Sequence, residues 1–116
     1  MATQAKRVDD TLAALADPTR RKVVDLLRRR PHRAGELSGA FHVSAPAMSR
    51  HLRVLRDRGL VEERRNGDDA RLRVYRLRRE RFAELQAWLA EVETFWDDQL
   101  SAFKEHAERT RPRKRS

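Results

Sequence analysis

The chain has 116 residues, 39% of them hydrophobic, with no cysteine and a net charge of +9. This length favours one domain with a modest core, and the missing cysteines exclude disulfides, thiolate metal sites and cysteine nucleophiles. No apolar run approaches the roughly 20 residues that span a bilayer, and the N-terminus lacks a signal-peptide stretch. We therefore expect a cytoplasmic protein with no membrane partner, and the positive charge indicates a polyanionic partner, nucleic acid first.

Four helices are predicted in the first half of the chain from apolar residues at helical spacing. Asp17 before Pro18 is typical of a cap followed by a first helical residue, and Ser44 is a second cap of this kind. Pro31 and Gly59 end two of the helices. The predicted helices are Val8–Ala16, Pro18–Arg30, Ala34–Phe41 and Ser44–Arg58.

A β-hairpin and a long helix are predicted to follow. Leu60–Arg65 and Arg71–Leu77 are suited to strands and flank Asn66-Gly67, a strong turn signal. The last helix is predicted over Arg79–Glu108, within a domain of residues 1–108, and a disordered basic tail over 109–116. Four helices, a two-stranded wing and a final helix predict a mainly α fold of the winged helix-turn-helix class.

The fourth predicted helix has two different faces. One carries the apolar side chains of Met48, Leu52 and Leu55, with His51 beside them, and is a core face. The other is small at its N-terminal end and basic further along, as a helix in a DNA major groove requires. Its residues are Ala45, Pro46, Ser49, Arg50, Arg53 and Arg56. The alternative is an ordinary solvated basic face.

The outer helices carry more apolar side chains than one small domain is expected to cover. We therefore predict a homodimer in which the helices over 8–16 and 79–108 form the interface, rather than a ligand pocket lined by aromatic residues. Acid is concentrated between Phe82 and Glu108, which nets −6, so the rest of the chain nets +15. The predicted interface residues are Val8, Leu12, Leu15, Leu85, Trp88, Leu89, Val92, Phe95, Trp96 and Phe103.

Several stretches resemble the ArsR family of bacterial winged-helix repressors. They are LAALADPTRRKVVDLL (12–27), SAPAMSRHLRVLRDRGLVEE (44–63), RVYRL (73–77) and AWLAEVETFWDDQL (87–100). The last of these resembles a branch with two tryptophans and no metal ligands. The resemblance implies a homodimer that binds a promoter operator in double-stranded DNA and blocks transcription. It places Ser44, Ala45, Pro46, Ser49, Arg50 and His51 against the DNA.

The remaining predicted contacts are cationic. Arg53, Arg56 and the wing residues Arg64, Arg65, Arg71 and Arg73 are expected to hold the DNA backbone. Alternatively, the wing arginines only discourage aggregation of a strand edge. The chain departs from the family pattern at Ala45, at His42 in the turn, and at Arg33 in place of a capping hydroxyl, where a phosphate contact is a further expectation.

No cofactor, metal or enzymatic chemistry is predicted. The chain has no phosphate-binding glycine loop and no nucleophile beside an evident base, and its four histidines are scattered. Asp97 and Asp98 are adjacent on a helix, where neighbouring side chains point about 100° apart. Two other functions remain open: sequence-indifferent DNA compaction in the nucleoid, and a protein-interaction module that works through the last helix. The effector and the operator sequence are not predicted.

Overall fold

The computed structural model describes residues 3–65 and 73–110, and within them it is a winged helix-turn-helix. The described residues form five helices and three short strands, and two of the strands are those of the predicted wing. The helices are α1 (Gln4–Leu15), α2 (Pro18–Leu27), α3 (Ala34–Phe41), α4 (Ala45–Asp57) and α5 (Glu80–Thr110), and the strands are β1 (His32–Arg33), β2 (Val61–Arg65) and β3 (Arg73–Leu77).

Short polar side chains cap the helices at the points where the chain turns into α2 and α4. The Asp17 carboxylate accepts the Arg20 N–H at 3.0 Å, and the Ser44 hydroxyl accepts the Ala47 N–H at 3.2 Å. An unpredicted cap at Thr3 starts α1 before Val8, the predicted beginning. Helix α2 ends at Leu27 instead of the predicted Arg30, and Arg28 follows as its C-cap, with its backbone N–H donating to the Val24 carbonyl oxygen.

A third strand, β1, was not predicted. It pairs with β3, which also pairs with β2, so the antiparallel sheet has the order β1-β3-β2. His32 lies opposite Tyr75 in this sheet and is buried, with its Nδ1 atom 2.8 Å from the Arg30 carbonyl oxygen. The extra strand joins the start of α3 to the wing, which orients the wing beside the helices.

The core lies where α2, α3 and α4 meet the sheet. Its fully buried side chains come from the apolar faces that the spacing predicted, and they include Val23, Leu37, Met48, Leu52, Leu55 and Leu60. The tight turn between α3 and α4 places His42 in the left-handed region with φ of 53°. At the end of α4, Gly59 has φ of 81°, a conformation that glycine adopts at no steric cost.

Residues 1–85 and 86–116 form separate compact units. The first holds the core and the wing. In the second, every described residue up to Thr110 is exposed except Val92, which is half-buried. Helix α5 includes Arg109 and Thr110, which the prediction placed in the tail, and residues 111–116 lie outside the described part. Among the residues described, no helix is long and apolar enough to span a membrane.

Candidate nucleic-acid interface

The outward face of α4 is small at its beginning and cationic beyond it. Ser44, Ala45, Pro46 and Ser49 are exposed, and so are the Arg50, Arg53 and Arg56 side chains that follow them. The opposite face is locked into the core by Met48, Leu52 and Leu55, none of which is more than 1% exposed. The core therefore fixes which side chains α4 presents to a partner.

His51 lies at the edge between these two faces. Its side chain is 21% exposed, and its Nδ1 atom lies 3.9 Å from the Asp17 carboxylate and 3.5 Å from Arg20 Nη1. The Arg20 backbone N–H that donates to Asp17 holds the pKa of that carboxyl below its usual value, with the nearby His51 adding to the effect. His51 thus contacts the beginning of α2 through one ring nitrogen, an arrangement that the helical spacing alone did not reveal.

A cleft separates α4 from the inner face of the wing, and Glu63 lies at its base. The Glu63 side chain is 12% exposed, and its Oε2 atom accepts from Arg56 Nη1 at 2.7 Å. Arg73 Nε lies 3.0 Å from Glu63 Oε1, as an ion contact that is not aligned for a hydrogen bond. The Tyr75 hydroxyl donates to Glu63 at 3.4 Å, and burial with this neighbouring carboxylate raises the pKa of Tyr75.

The outer face of the wing carries a second carboxylate. Glu62 contacts Arg76, and it lies 3.5 Å from Arg64 Nε. The hydrogen bond from Arg76 holds the pKa of Glu62 below its usual value. Arg64 and Arg65 remain exposed at the end of β2, while the predicted contact Arg71 and the turn residues Asn66-Gly67 lie outside the described residues.

Arg33 is exposed in an extended conformation immediately before α3. No hydroxyl caps this helix. Instead, Glu36 in the first turn accepts the Arg33 backbone N–H at 3.1 Å and pairs with Arg30 at 3.2 Å. The Arg33 N–H holds the pKa of Glu36 below its usual value. An acidic residue in the first turn therefore compensates for the cation at this helix end.

Comparison with known proteins matches the part of the chain that contains α2, α3, α4 and the start of the wing. Residues 17–63, from the cap of α2 to Glu63, match the model for bacterial regulatory proteins of the arsR family. The HTH-type transcriptional regulator Rv2034 of Mycobacterium tuberculosis is 38% identical over 95 residues, which are 82% of this chain and 83% of that protein. This chain belongs to the arsR family of bacterial regulatory proteins. It is a DNA-binding transcriptional regulator, and membership in a family of regulatory proteins confirms the prediction that it is not an enzyme.

Two further comparisons agree. The transcriptional repressor SdpR of Bacillus subtilis is 35% identical over 60 residues, 52% of this chain and 67% of that protein. A crystal structure of the ArsR family transcriptional regulator RHA00566 is 34% identical, covers 84% of this chain and 97% of its own, and superposes with a TM-score of 0.72. The winged helix-turn-helix assignment is thus confirmed over most of the chain.

The predicted interface residues of this arsR-family protein fall into two groups. Val8 is only 5% exposed, because it is covered within its own protomer, and Leu15, Leu85 and Val92 are half-buried. The other six predicted residues are 40–70% exposed: Leu12, Trp88, Leu89, Phe95, Trp96 and Phe103. Leu100, which was not predicted, is 61% exposed.

Within residues 3–65 and 73–110, no group of three or more metal-ligating side chains could hold a metal ion.

Proposed function

We propose that the protein is a homodimeric repressor that binds an inverted-repeat operator through α4 and the wing and acts on the chromosome in the bacterial cytoplasm. The observation that carries this proposal is the exposed face of α4. Small side chains at its N-terminal end permit close approach to base edges, and the arginines that follow supply the charge. The relative SdpR is named a transcriptional repressor, which supports the direction of regulation.

The roles of the α4 side chains follow from their positions. Arg50 is exposed near the start of the helix, so we assign it a base contact, with Ser49 beside it. Recognition helices usually reach bases with their N-terminal residues. Arg53 and Arg56 lie further along the same face and are assigned to phosphates, together with Arg64, Arg65 and Arg73 of the wing. Ser44, Ala45, Pro46, His51, Arg33 and Arg71 remain candidate contacts.

The exposed apolar side chains of α5 support a dimer. Phe95 and Trp96 are 55% and 57% exposed, and their rings pack edge to face with their centroids 5.6 Å apart. Large apolar side chains repeated along one exposed helix are unusual in a monomer and typical of an interaction surface. We assign this surface and the exposed Leu12 of α1 to a second copy of the chain. A two-fold dimer would bring two α4 helices to half-sites about 34 Å apart.

Selection of bound sequences from a random DNA pool tests this function directly. We expect a two-fold symmetric motif. Replacing Arg50 with alanine should cost about 1–3 kcal/mol on that motif and relax the preference at one base pair in each half-site. A uniform loss on all sequences would show that Arg50 contacts only the backbone. Even recovery of all sequences by the wild-type protein would instead favour sequence-indifferent compaction of DNA.

Sedimentation of the free protein tests the dimer separately. We expect a concentration-dependent dimer, because the exposed α5 side chains need a partner. A protein that stays monomeric at every concentration while still selecting a motif would favour the alternative in which α5 engages a different protein.

A further inference from the structure

Glu63 places a negative charge between α4 and the wing, on the side of the molecule that would meet DNA. It is the carboxylate at the base of a cleft that is otherwise lined mainly by polar and cationic side chains. The cleft is lined by Ser49, Leu52, Arg53, Arg56, Glu63, Arg73 and Tyr75. A carboxylate there repels phosphate, so its presence on a DNA-binding surface requires a compensating role.

The contacts of Glu63 indicate that role. One of its oxygens accepts from Arg56 of α4 at 2.7 Å, and the other lies 3.0 Å from Arg73 Nε of β3. Two guanidinium groups brought this close repel each other unless a negative charge lies between them. A guanidinium has five N–H donors, so an arginine that contacts Glu63 through one nitrogen keeps others for a phosphate.

We propose that Glu63 is a positioning residue that holds Arg56 and Arg73 as a pair, so that the recognition helix and the wing engage the same stretch of DNA backbone together. This inference rests on the proposed DNA-binding function. Both arginines are partly exposed, with side-chain exposures of 47% and 38%, while Glu63 is 12% exposed. The carboxylate is thus covered, and the cations that it orders reach the surface.

The price of this arrangement is affinity for DNA of any sequence, because Glu63 subtracts one charge from the basic surface. The gain is that two backbone contacts are fixed relative to the base-reading end of α4. Glu63 is therefore expected to raise the ratio of operator affinity to non-specific affinity. Without the Glu63 carboxylate, Arg56 and Arg73 would contact phosphates in several positions of the protein along the duplex, so they would discriminate less between operator and other DNA.

Glu62 provides a matched control for the charge. It precedes Glu63 on the same strand, but it points to the opposite face of the sheet, where it contacts Arg76 and Arg64. Glu62→Gln and Glu63→Gln remove the same charge from adjacent positions of one strand. Only the second removes the carboxylate that contacts Arg56 and Arg73.

The experiment measures dissociation constants of the wild-type protein and both variants for the selected operator and for a scrambled duplex. We expect Glu63→Gln to bind scrambled DNA more tightly and the operator more weakly, so that the specificity ratio falls about tenfold, the loss of one well-placed contact. Glu62→Gln should change both affinities by the same factor. An unchanged ratio for Glu63→Gln in a protein whose wild type prefers the operator would overturn the positioning role alone.

Arg56→Lys is a second variant, which retains the charge and the backbone while losing the planar fork that serves Glu63 and a phosphate at once. It should lower the specificity ratio about as much as Glu63→Gln, with little change on scrambled DNA. If thermal melting shows that Glu63→Gln is unfolded, Arg56→Lys tests the proposal in its place. An unchanged specificity ratio for Arg56→Lys would refute the pairing of Arg56 and Arg73. A wild-type protein with no operator preference would instead refute the proposed function itself.

Discussion

Ser44 separates two roles that usually coincide at the start of a recognition helix, capping and DNA contact. Its hydroxyl accepts the Ala47 N–H at 3.2 Å, and the residue is exposed on the face assigned to DNA. Replacement with alanine removes the cap and should cost about 1 kcal/mol of stability, about a fivefold change in the folding equilibrium. Replacement with aspartate keeps a capping oxygen and adds a charge that favours the positive helix end by about 0.3–1 kcal/mol.

The aspartate variant should be the more stable of the two, but it should bind DNA more weakly than the alanine variant. A carboxylate about 6 Å from a DNA phosphate, at an effective dielectric constant of about 20–80, is repelled by about 0.7–2.8 kcal/mol. Ser44→Asp should therefore be at least as stable as the wild type and bind DNA about 3- to 100-fold more weakly. Ser44→Ala should be less stable but remain folded at 25 °C, so its DNA affinity should change much less.

Urea unfolding gives the stabilities, and fluorescence anisotropy with the selected operator gives the affinities across a series of salt concentrations. The difference between the aspartate and alanine variants should shrink as salt rises, because screening weakens the repulsion. If Ser44→Asp bound the operator as tightly as the wild type, the beginning of α4 would not face DNA. If Ser44→Ala were as stable as the wild type, the cap would contribute nothing.

Three further predictions concern other parts of the molecule. Gly59→Ala should lower the unfolding free energy by about 1–2 kcal/mol, measured by urea titration, because φ is 81° there. The hydrogen bond from Arg7 holds the pKa of Glu84 below its usual value, so Glu84 stabilises the fold above its ordinary pKa and this stabilisation is lost as the pH falls through the lowered one. The stability of Glu84→Gln, followed by thermal melting, should therefore vary less between about pH 5 and pH 3. Trp96→Ser should weaken the dimer in sedimentation, whereas Thr94→Ser, on the opposite side of α5, should not; equal behaviour would remove Trp96 from the interface.

The sequence predicted the elements whose signals are local. The apolar face of α4 was confirmed by burial of Met48, Leu52 and Leu55, because helical periodicity depends only on spacing along one element. The caps predicted at Asp17 and Ser44 were confirmed, since each side chain accepts a backbone N–H of the helix that follows. They were predictable because each precedes a proline in the first helical turn, where the fixed φ of proline suits the start of a helix.

Other features depend on distant parts of the chain, and the sequence did not predict them. Strand β1 has two residues, too few to show alternation, and it forms only because β3 lies beside it. The ion pair between Arg58, the residue that ends α4, and Asp10 in the middle of α1 has a length of 2.8 Å and spans 48 positions of sequence. The spacing placed His51 on the core face of α4 and the family resemblance placed it against DNA. Its contact with Asp17 depends on how α2 packs against α4.

The place of Glu63 in the interface depends on the register of the wing. Side chains of directly paired residues share a face of the sheet, and Arg65 pairs with Arg73, which leaves seven residues between the paired ends. Glu63 therefore lies on the same face as Arg73. A two-residue turn at Asn66-Gly67, the commonest form for that dipeptide, would have put Arg73 on the face of Glu62 instead. A difference of an odd number of residues in the register thus exchanges the two carboxylates, and it decides which of them faces the recognition helix and which faces away.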